Sequence, residues 1–383
     1  MIPPPLSLYV HYPWCVKKCP YCDFNSHVSS NKITDKQYCQ ALILELEKKL
    51  PDIWGRRLLS IFIGGGTPSL IQPESLDKLL VNIRALLPFS PNIEITLEAN
   101  PGTVDATKFT EFKALGINRL SIGIQSFQDN LLNQIGRIHS GQEAKKAIEI
   151  SKQAGFDNIN LDFIFALPQQ TLKLLIDDLK CAIEFQPNHL SFYQLTIEPN
   201  TLFASKPPPL PVDDDVYEFF QIGQQYLHDN KFLQYETSAY AKTGKQCQHN
   251  LNYWQFGDYL GIGAGAHSKI THCQQQQIIR HWNHKNPAEY INQQSHKQVD
   301  NHQRILTKSD LILEFMMNTL RLKEGFNYSY FEDRTGLLKT DILPALQIAK
   351  DNKWIETRNS TIKATQQGER FLNDLLLLFM TEK

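Results

Sequence analysis

Leu59-Ser60-Ile61-Phe62-Ile63-Gly64-Gly65-Gly66-Thr67-Pro68 is a short apolar run closed by three glycines and a proline. Its β-branched and aromatic residues predict a strand over Leu59–Gly64, and the glycines predict a tight turn directly after it. An amphipathic stretch follows, Glu74–Leu86, which predicts a helix, and then a second strand candidate at Ile93–Ala99. The same alternation runs through the first half of the chain. Strands are expected at Leu6–Val10, Arg119–Ile124, Asn158–Phe163 and His189–Leu195, with helices at Asp35–Leu50, Asp105–Leu115, Gln142–Ala154 and Leu172–Phe185. Strands separated by helices pair in parallel through right-handed crossovers. Six such units predict an α/β fold, a partial (β/α)6 TIM-like barrel of parallel strands, with its chemistry where the strands end.

Lys206-Pro207-Pro208-Pro209-Leu210-Pro211, followed by three aspartates, marks a break. A helix is expected at Val216–Asn230, then an aromatic-, Gly- and His-rich segment at Gln234–Ser268, and a surface turn at Cys273–Gln277. From Thr307 the pattern is helical at Ser309–Leu322 and Leu338–Asn352. A short hairpin follows at Lys353–Thr357 and Thr361–Lys363, with a last helix at Gln366–Phe379. Helices followed by a small hairpin predict a smaller, mostly helical, winged-helix-like C-terminal domain. The expected division is 1–205 for the barrel, 206–300 for an extension and 301–383 for the C-terminal domain.

Composition narrows the function. With 39 Lys and Arg against 40 Asp and Glu, net charge is −1, which argues against a nucleic-acid binder relying on uncompensated cations. The last predicted helix is not strongly basic either, so recognition of nucleic acid by the winged-helix-like module is the weaker reading. No apolar run is long enough to span a bilayer, and Met1-Ile2-Pro3-Pro4-Pro5 does not begin a secretory signal. A cytoplasmic protein is expected, with peripheral attachment at the inner membrane face as its one membrane association.

Seven cysteines are present, and three of them, Cys15, Cys19 and Cys22, fall within eight residues. Soft thiolates so clustered suit an iron–sulfur cluster or zinc. Structural zinc wants four ligands and usually two separated CxxC knuckles, and there is no second knuckle here. Three protein ligands on a cubane leave one iron open to a cofactor or substrate.

The run Cys15-Val16-Lys17-Lys18-Cys19-Pro20-Tyr21-Cys22 resembles the CxxxCxxC signature of the radical S-adenosylmethionine (SAM) enzymes. The resemblance implies a 4Fe-4S cluster held by Cys15, Cys19 and Cys22, with SAM on the open iron. Within that superfamily the chain is similar, over nearly its whole length, to the oxygen-independent coproporphyrinogen III oxidase-like branch. That likeness implies SAM contacts at Tyr9, Tyr21, Gly65, Gly66, Thr67, Glu98, Gln125, Arg137 and Asp162. The chemistry is consistent: carboxylates suit an amino group and ribose hydroxyls, and a guanidinium pairs with a carboxylate.

Two kinds of protein in this branch compete. The oxidase, a coproporphyrinogen III dehydrogenase that decarboxylates propionates, carries a fourth cysteine, CxxxCxxCxC, where this chain has Phe24. It also carries a longer segment ahead of its triad than the fourteen residues here. His249-Asn250-Leu251-Asn252-Tyr253-Trp254 instead matches the HNxxYW motif of the HemW-type haem chaperones. The resemblance therefore implies haem as cargo and delivery to acceptors such as respiratory enzymes. It also implies an electron donor such as flavodoxin or ferredoxin, and no coproporphyrinogen oxidase activity. His249, Asn250, Tyr253 and Trp254 are the haem candidates, since imidazole ligates haem iron and aromatic rings face a macrocycle. His267 is a second candidate ligand, in a Gly261–Ser268 segment read as a turn. No catalytic residue is assigned.

Overall fold

The computed structural model describes residues 1–29, 32–295 and 302–380. Six parallel strands follow one another in space as in sequence: β1 (Leu6–Tyr12), β2 (Leu58–Gly65), β3 (Phe89–Ala99), β4 (Arg119–Gln125), β5 (Ile159–Phe165) and β6 (His189–Gln194). Helices connect them on the outside. Asp35–Ile53 starts with a capping box in which Thr34 and Gln37 satisfy each other's free backbone N–H groups. Gly141–Gln153 starts the same way on Ser140 and Glu143. Each helix turns an apolar stripe onto the sheet, so Leu42, Leu46, Leu79, Ile83, Phe109, Ile148 and Leu179 share one core with Leu8, Ile61, Leu97, Ile122 and Leu161. The expected α/β architecture is present, with a mostly parallel central sheet.

The sheet does not stop at six strands. Asp258–Ile262 pairs in parallel with β1 on the side away from β2, and the antiparallel strands His267–His272, Gln277–Trp282 and Gln303–Ile305 continue outward from it. At the other end Ala239–Ala241 pairs antiparallel with β6, and Leu233–Glu236 closes the order. The segment Gly261–Ser268, read from sequence as a turn, is therefore strand, turn and strand. The turn proper is confined to the residues between Ile262 and His267. All five residues of Asp258–Ile262 are buried, so the two-residue alternation that betrays a half-exposed strand is absent there.

The C-terminal module packs helices Lys308–Thr319, Tyr328–Thr335 and Leu343–Asp351 on a three-stranded antiparallel sheet, Phe326–Asn327, Thr361–Ala364 and Ile355–Arg358. Its core is separate, centred on Phe315, Phe331, Ile342 and Ile362. The helix Tyr328–Thr335 is not apparent in the sequence pattern. The helix expected over Leu338–Asn352 begins only at Leu343, after a 3-10 turn, with a proline in its first turn. The last helix is two, Gln366–Arg370 and Leu372–Leu377, broken at Phe371.

Asp258, fully buried at the start of its strand, ties the added strands to the barrel. It accepts from Lys269 Nζ at 3.0 Å, Arg56 Nη1 at 2.7 Å, and the Thr271 backbone N–H and hydroxyl at 2.9 and 2.8 Å. Burial alone would raise its carboxyl; Lys269 and Arg56 overcome that and hold it below the ordinary range. Asp258→Asn leaves the buried Lys269 ammonium uncompensated and is expected to cost about 3–5 kcal/mol in urea unfolding at pH 7. A carboxyl whose folded pKa is depressed contributes stability above its unfolded pKa and loses it as pH falls through the folded one. The gap between wild type and variant should therefore narrow below about pH 4.

Candidate functional site

The ends of β2 to β6 converge with the cysteine loop on one cavity of about 380 Å³. Cys15 ends a two-residue strand, Trp14–Cys15, that pairs with His27–Val28 and so folds the loop back on itself. Its Sγ lies 3.6 Å from the His27 carbonyl, Cys22 Sγ lies 3.7 Å from Ser26 Oγ, and Cys22 N donates to Cys19 O at 3.1 Å. All three thiols line the cavity and none is in a disulfide. Burial pushes the thiols of Cys15 and Cys22 up. Among the described residues no group of three or more His, Cys, Asp or Glu side chains is gathered tightly enough for a single metal ion. Three soft thiols on the wall of one cavity are the ligand type that iron–sulfur clusters take.

The glycine turn after β2 is fixed by close approach. Gly66 N donates to Tyr12 O at 2.8 Å and Thr67 N to Trp14 O at 2.7 Å, locking the turn to the cysteine loop. A Cβ on Gly66 would stand 2.4 Å from Trp14 O, and Gly65 has φ +120° with the His11 ring where a side chain would go. Only glycine fits both places. Gly65 N donates to Glu98 Oε2 at 3.0 Å, so the turn also positions the carboxylate at the end of β3.

Around that turn the cavity gathers Tyr21, Gly65, Gly66, Thr67, Glu98, Gln125, Arg137 and Asp162, eight of the nine residues anticipated for SAM. Tyr9 is not on its wall: it points beneath, its hydroxyl 3.0 Å from His11 Nδ1 and its ring against Phe62 and His249. Burial and the neighbouring Asp162 push the Glu98 carboxyl up to about 8. Burial also raises Asp162, against the hydrogen bonds from Ser191, Asn160 and Ser121 that favour its charge. Arg137 donates to Gly123 O at 2.5 Å and reaches Cys19 Sγ at 3.7 Å, while its buried Nε has no partner. A guanidinium with an unsatisfied N–H fits a carboxylate, and two acids with raised pKa fit an ammonium and hydroxyls, so the wall suits an amino-acid-bearing cofactor. The sequence reading missed Arg119, Asn160, Ser191 and Tyr193, which also line the cavity. Three of them, Arg119, Asn160 and Ser191, lie in the first half of their strands, so the strand-end address that marks Glu98, Gln125 and Asp162 does not find them.

The HNxxYW residues form the helix Gln248–Trp254, which enters the barrel from below. His249 is half-buried, its Nδ1 3.0 Å from Ser60 Oγ, its backbone N–H on Glu94, and its ring 5.1 Å from Phe62. Burial, reinforced by Arg119, pushes its pKa down to about 3, so the imidazole is neutral at physiological pH. Asn250 reaches the cavity wall. Tyr253 and Trp254 are half-buried away from that cavity, Tyr253 against Tyr259 and Trp254 beneath Arg321 at 4.3 Å. His267, exposed, stacks on Trp282 at 6.4 Å, away from that cavity's wall.

The raised Glu98 carboxyl yields a pH signature. A carboxyl whose folded pKa lies above its unfolded value contributes stability at low pH and loses it as pH rises through the folded pKa. Without a bound cation, wild type should lose melting temperature relative to Glu98→Gln between about pH 5 and pH 8. Parallel melts across that range, with a constant difference as the contrary result, check this.

Residues 9–182 match the radical SAM superfamily and residues 306–371 the HemN C-terminal domain. The chain is 48% identical over 384 residues to the Heme chaperone HemW of Haemophilus influenzae, covering 99% of both. It is 46% identical over 379 residues to the Heme chaperone HemW of Escherichia coli, again covering 99% of both. Its fold is that of coproporphyrinogen III oxidase (HemN) from Escherichia coli, a radical SAM enzyme. The TM-score is 0.83 at 23% identity, covering 99% of this chain and 91% of that one. Full-length identity at this level places the chain in the radical SAM superfamily, as a member of the HemW heme chaperone family.

Proposed function

We propose that this protein binds haem as cargo and transfers it to acceptor proteins, carrying a 4Fe-4S cluster and SAM in the barrel. The observation that carries the haem reading is the 48% identity, over 99% of both chains, to a relative named as a heme chaperone. Phe24 adds to it. At the position of the oxidase's fourth cysteine stands a phenylalanine that is 58% exposed and lines the cavity mouth, which offers no thiol. Respiratory enzymes are the acceptor class, flavodoxin or ferredoxin the electron donor, and peripheral contact at the inner membrane face the route to membrane acceptors. Among the described residues no helix is long and apolar enough to cross a membrane. In this reading residues 1–205 hold the cofactors, 206–300 carry the haem motif and 301–383 form the module that meets partners.

The residue roles follow the wall of the cavity. Cys15, Cys19 and Cys22 would hold the cluster, which when bound supplies an electron to a sulfonium. Arg137 would take the methionine carboxylate, and the Gly65–Gly66–Thr67 turn would offer its backbone to the amino group. Glu98 and Asp162 serve the ammonium and ribose hydroxyls, and Gln125 and Tyr21 complete the cradle. Tyr9 contributes from beneath through His11. A cation arriving beside Glu98 favours its charged form and releases its proton, and the same cation offsets the burial that raises Asp162. His249 would be the imidazole for haem iron, already neutral, with Asn250 next to it and Tyr253 and Trp254 as haem contacts further along the same helix.

Anaerobic reconstitution with iron and sulfide, followed by parallel hemin titration and coproporphyrinogen assay, tests this. The expected result is saturable haem binding with negligible decarboxylation; robust formation of protoporphyrinogen IX is the contrary one. Replacing Cys15, Cys19 and Cys22 by Ala should abolish bound iron and sulfide while haem still binds. His249→Ala should weaken the hemin titration about tenfold, a loss of about 1.4 kcal/mol, with iron–sulfur content unchanged.

A further inference from the structure

A second, larger cavity of about 710 Å³ lies between the β6 end of the sheet, the helix Asp213–Asp229 and the C-terminal module. Its volume falls among sites that engulf a ligand of drug size, about 300–1,000 Å³. The barrel cavity has roughly half that volume, about 380 Å³, and the cofactor reading already fills it. Gln194, the last residue of β6, lines both cavities, so they abut.

We propose that this second cavity is a tetrapyrrole site, the seat of a flat apolar macrocycle that carries carboxylates. The inference rests on the haem-cargo reading above and adds a second seat for the ring system, apart from the His249 site that would take the iron. The inner wall is built of rings with near-parallel faces. Phe165 stacks on Phe192 at 4.4 Å and 23°, and on Phe220 at 6.1 Å and 30°. At the mouth, Tyr217 and Phe371 are left 43% and 42% exposed. Large aromatics left open around a cavity are the contact surface a planar ligand buries.

Charge at the mouth supplies the second half of the recognition. Three cations line it. Lys323 is paired with Glu369 at 2.6 Å and Arg321 with Glu236 at 3.1 Å. Arg370 has no carboxylate within ion-pair range among the described residues; its guanidinium lies 4.7 Å from the Tyr217 ring centre and 5.8 Å from that of Phe371. The other lining acid is Asp213, at the start of its helix. A guanidinium spread between two aromatic faces, with no anion of its own, is a carboxylate receptor beside an apolar slot. That pairing matches a macrocycle bearing propionates.

Among the described residues the lining contains no His, Met or Cys, and its one tyrosine, Tyr217, has its ring face under Arg370. Grip on the ligand comes from ring faces and the carboxylate contact. Such a site releases its ligand without breaking a strong axial bond, which suits a protein whose task ends in transfer.

The test uses the full-length reconstituted protein and two probes, hemin and iron-free protoporphyrin IX. Gln221→Trp fills the cavity from the helix, and Arg370→Glu reverses the charge at the mouth. Both variants are expected to retain wild-type iron–sulfur content and to bind protoporphyrin IX at least tenfold more weakly than wild type. Should Gln221→Trp fail to fold, Arg370→Glu alone decides. If wild type binds neither probe, the haem-cargo reading falls and this site with it. If wild type binds hemin but not protoporphyrin IX, or binds both with the two variants unchanged, the cavity assignment alone is overturned.

Discussion

A sheet that curls without closing turns one face of every strand into an interior that is neither solvent nor oil, and here that interior is charged. Arg119 is fully buried in it, with Glu94 4.0 Å away and its Nε unpartnered, close enough to Glu98 and Asp162 to favour their charge. Below them, Asn160 donates to Ser121, Asp162 and Ser191 and lies 2.6 Å from His189 Nδ1, whose other nitrogen meets Tyr235. A buried polar interior is tolerated only when its members satisfy one another, and these do so with few exceptions. The exceptions that face the cavity include a guanidinium short of acceptors and two carboxyls raised by burial, Glu98 further by Asp162. The helices outside, each with its apolar stripe, hold those groups at separations that water would relax.

That arrangement explains what the amino-acid pattern reveals. The six parallel strands were legible because each is bounded by a glycine, a proline or a cap and followed by an amphipathic helix. The observed β1 to β6 differ from the reading by a few residues at their ends. The cysteine spacing and Gly64-Gly65-Gly66-Thr67-Pro68 were legible because both are local: loop geometry and close approach are written in consecutive residues. Glu98, Gln125, Arg137 and Asp162 were legible through their common address at strand ends together with the family resemblance.

What was not legible depends on distant pairing. Asp258–Ile262 becomes a strand because β1 offers it a free edge, and β1 lies some two hundred fifty residues away in sequence. Its side chains are all buried, so no alternation announces it. Tyr9 alternates inward like any cavity residue, yet its side chain is taken up by His11, Phe62 and His249 and so stays off the wall that its register partner Phe62 lines. Arg119 resembles any basic residue at a strand start until the fold buries it. In the C-terminal module, the break at Phe371 arises where the chain must turn to pack Leu375 into the module's core, a demand of tertiary contact and not of propensity.

The helix Gln248–Trp254 links the two halves of this structure through opposite ends of one short motif. Its first turn looks into the barrel: Cys247 and the His249 backbone both donate to Glu94, the acid facing Arg119. Its middle is pinned by Asn252, which donates to Ser7 Oγ and to the Asp258 carbonyl. Its last residue, Trp254, lies under Arg321, which pairs with Glu236 and lines the larger cavity. A helix of two turns so pinned at its start, middle and end ties the polar interior of the barrel to the rim of the larger cavity through one short run of sequence.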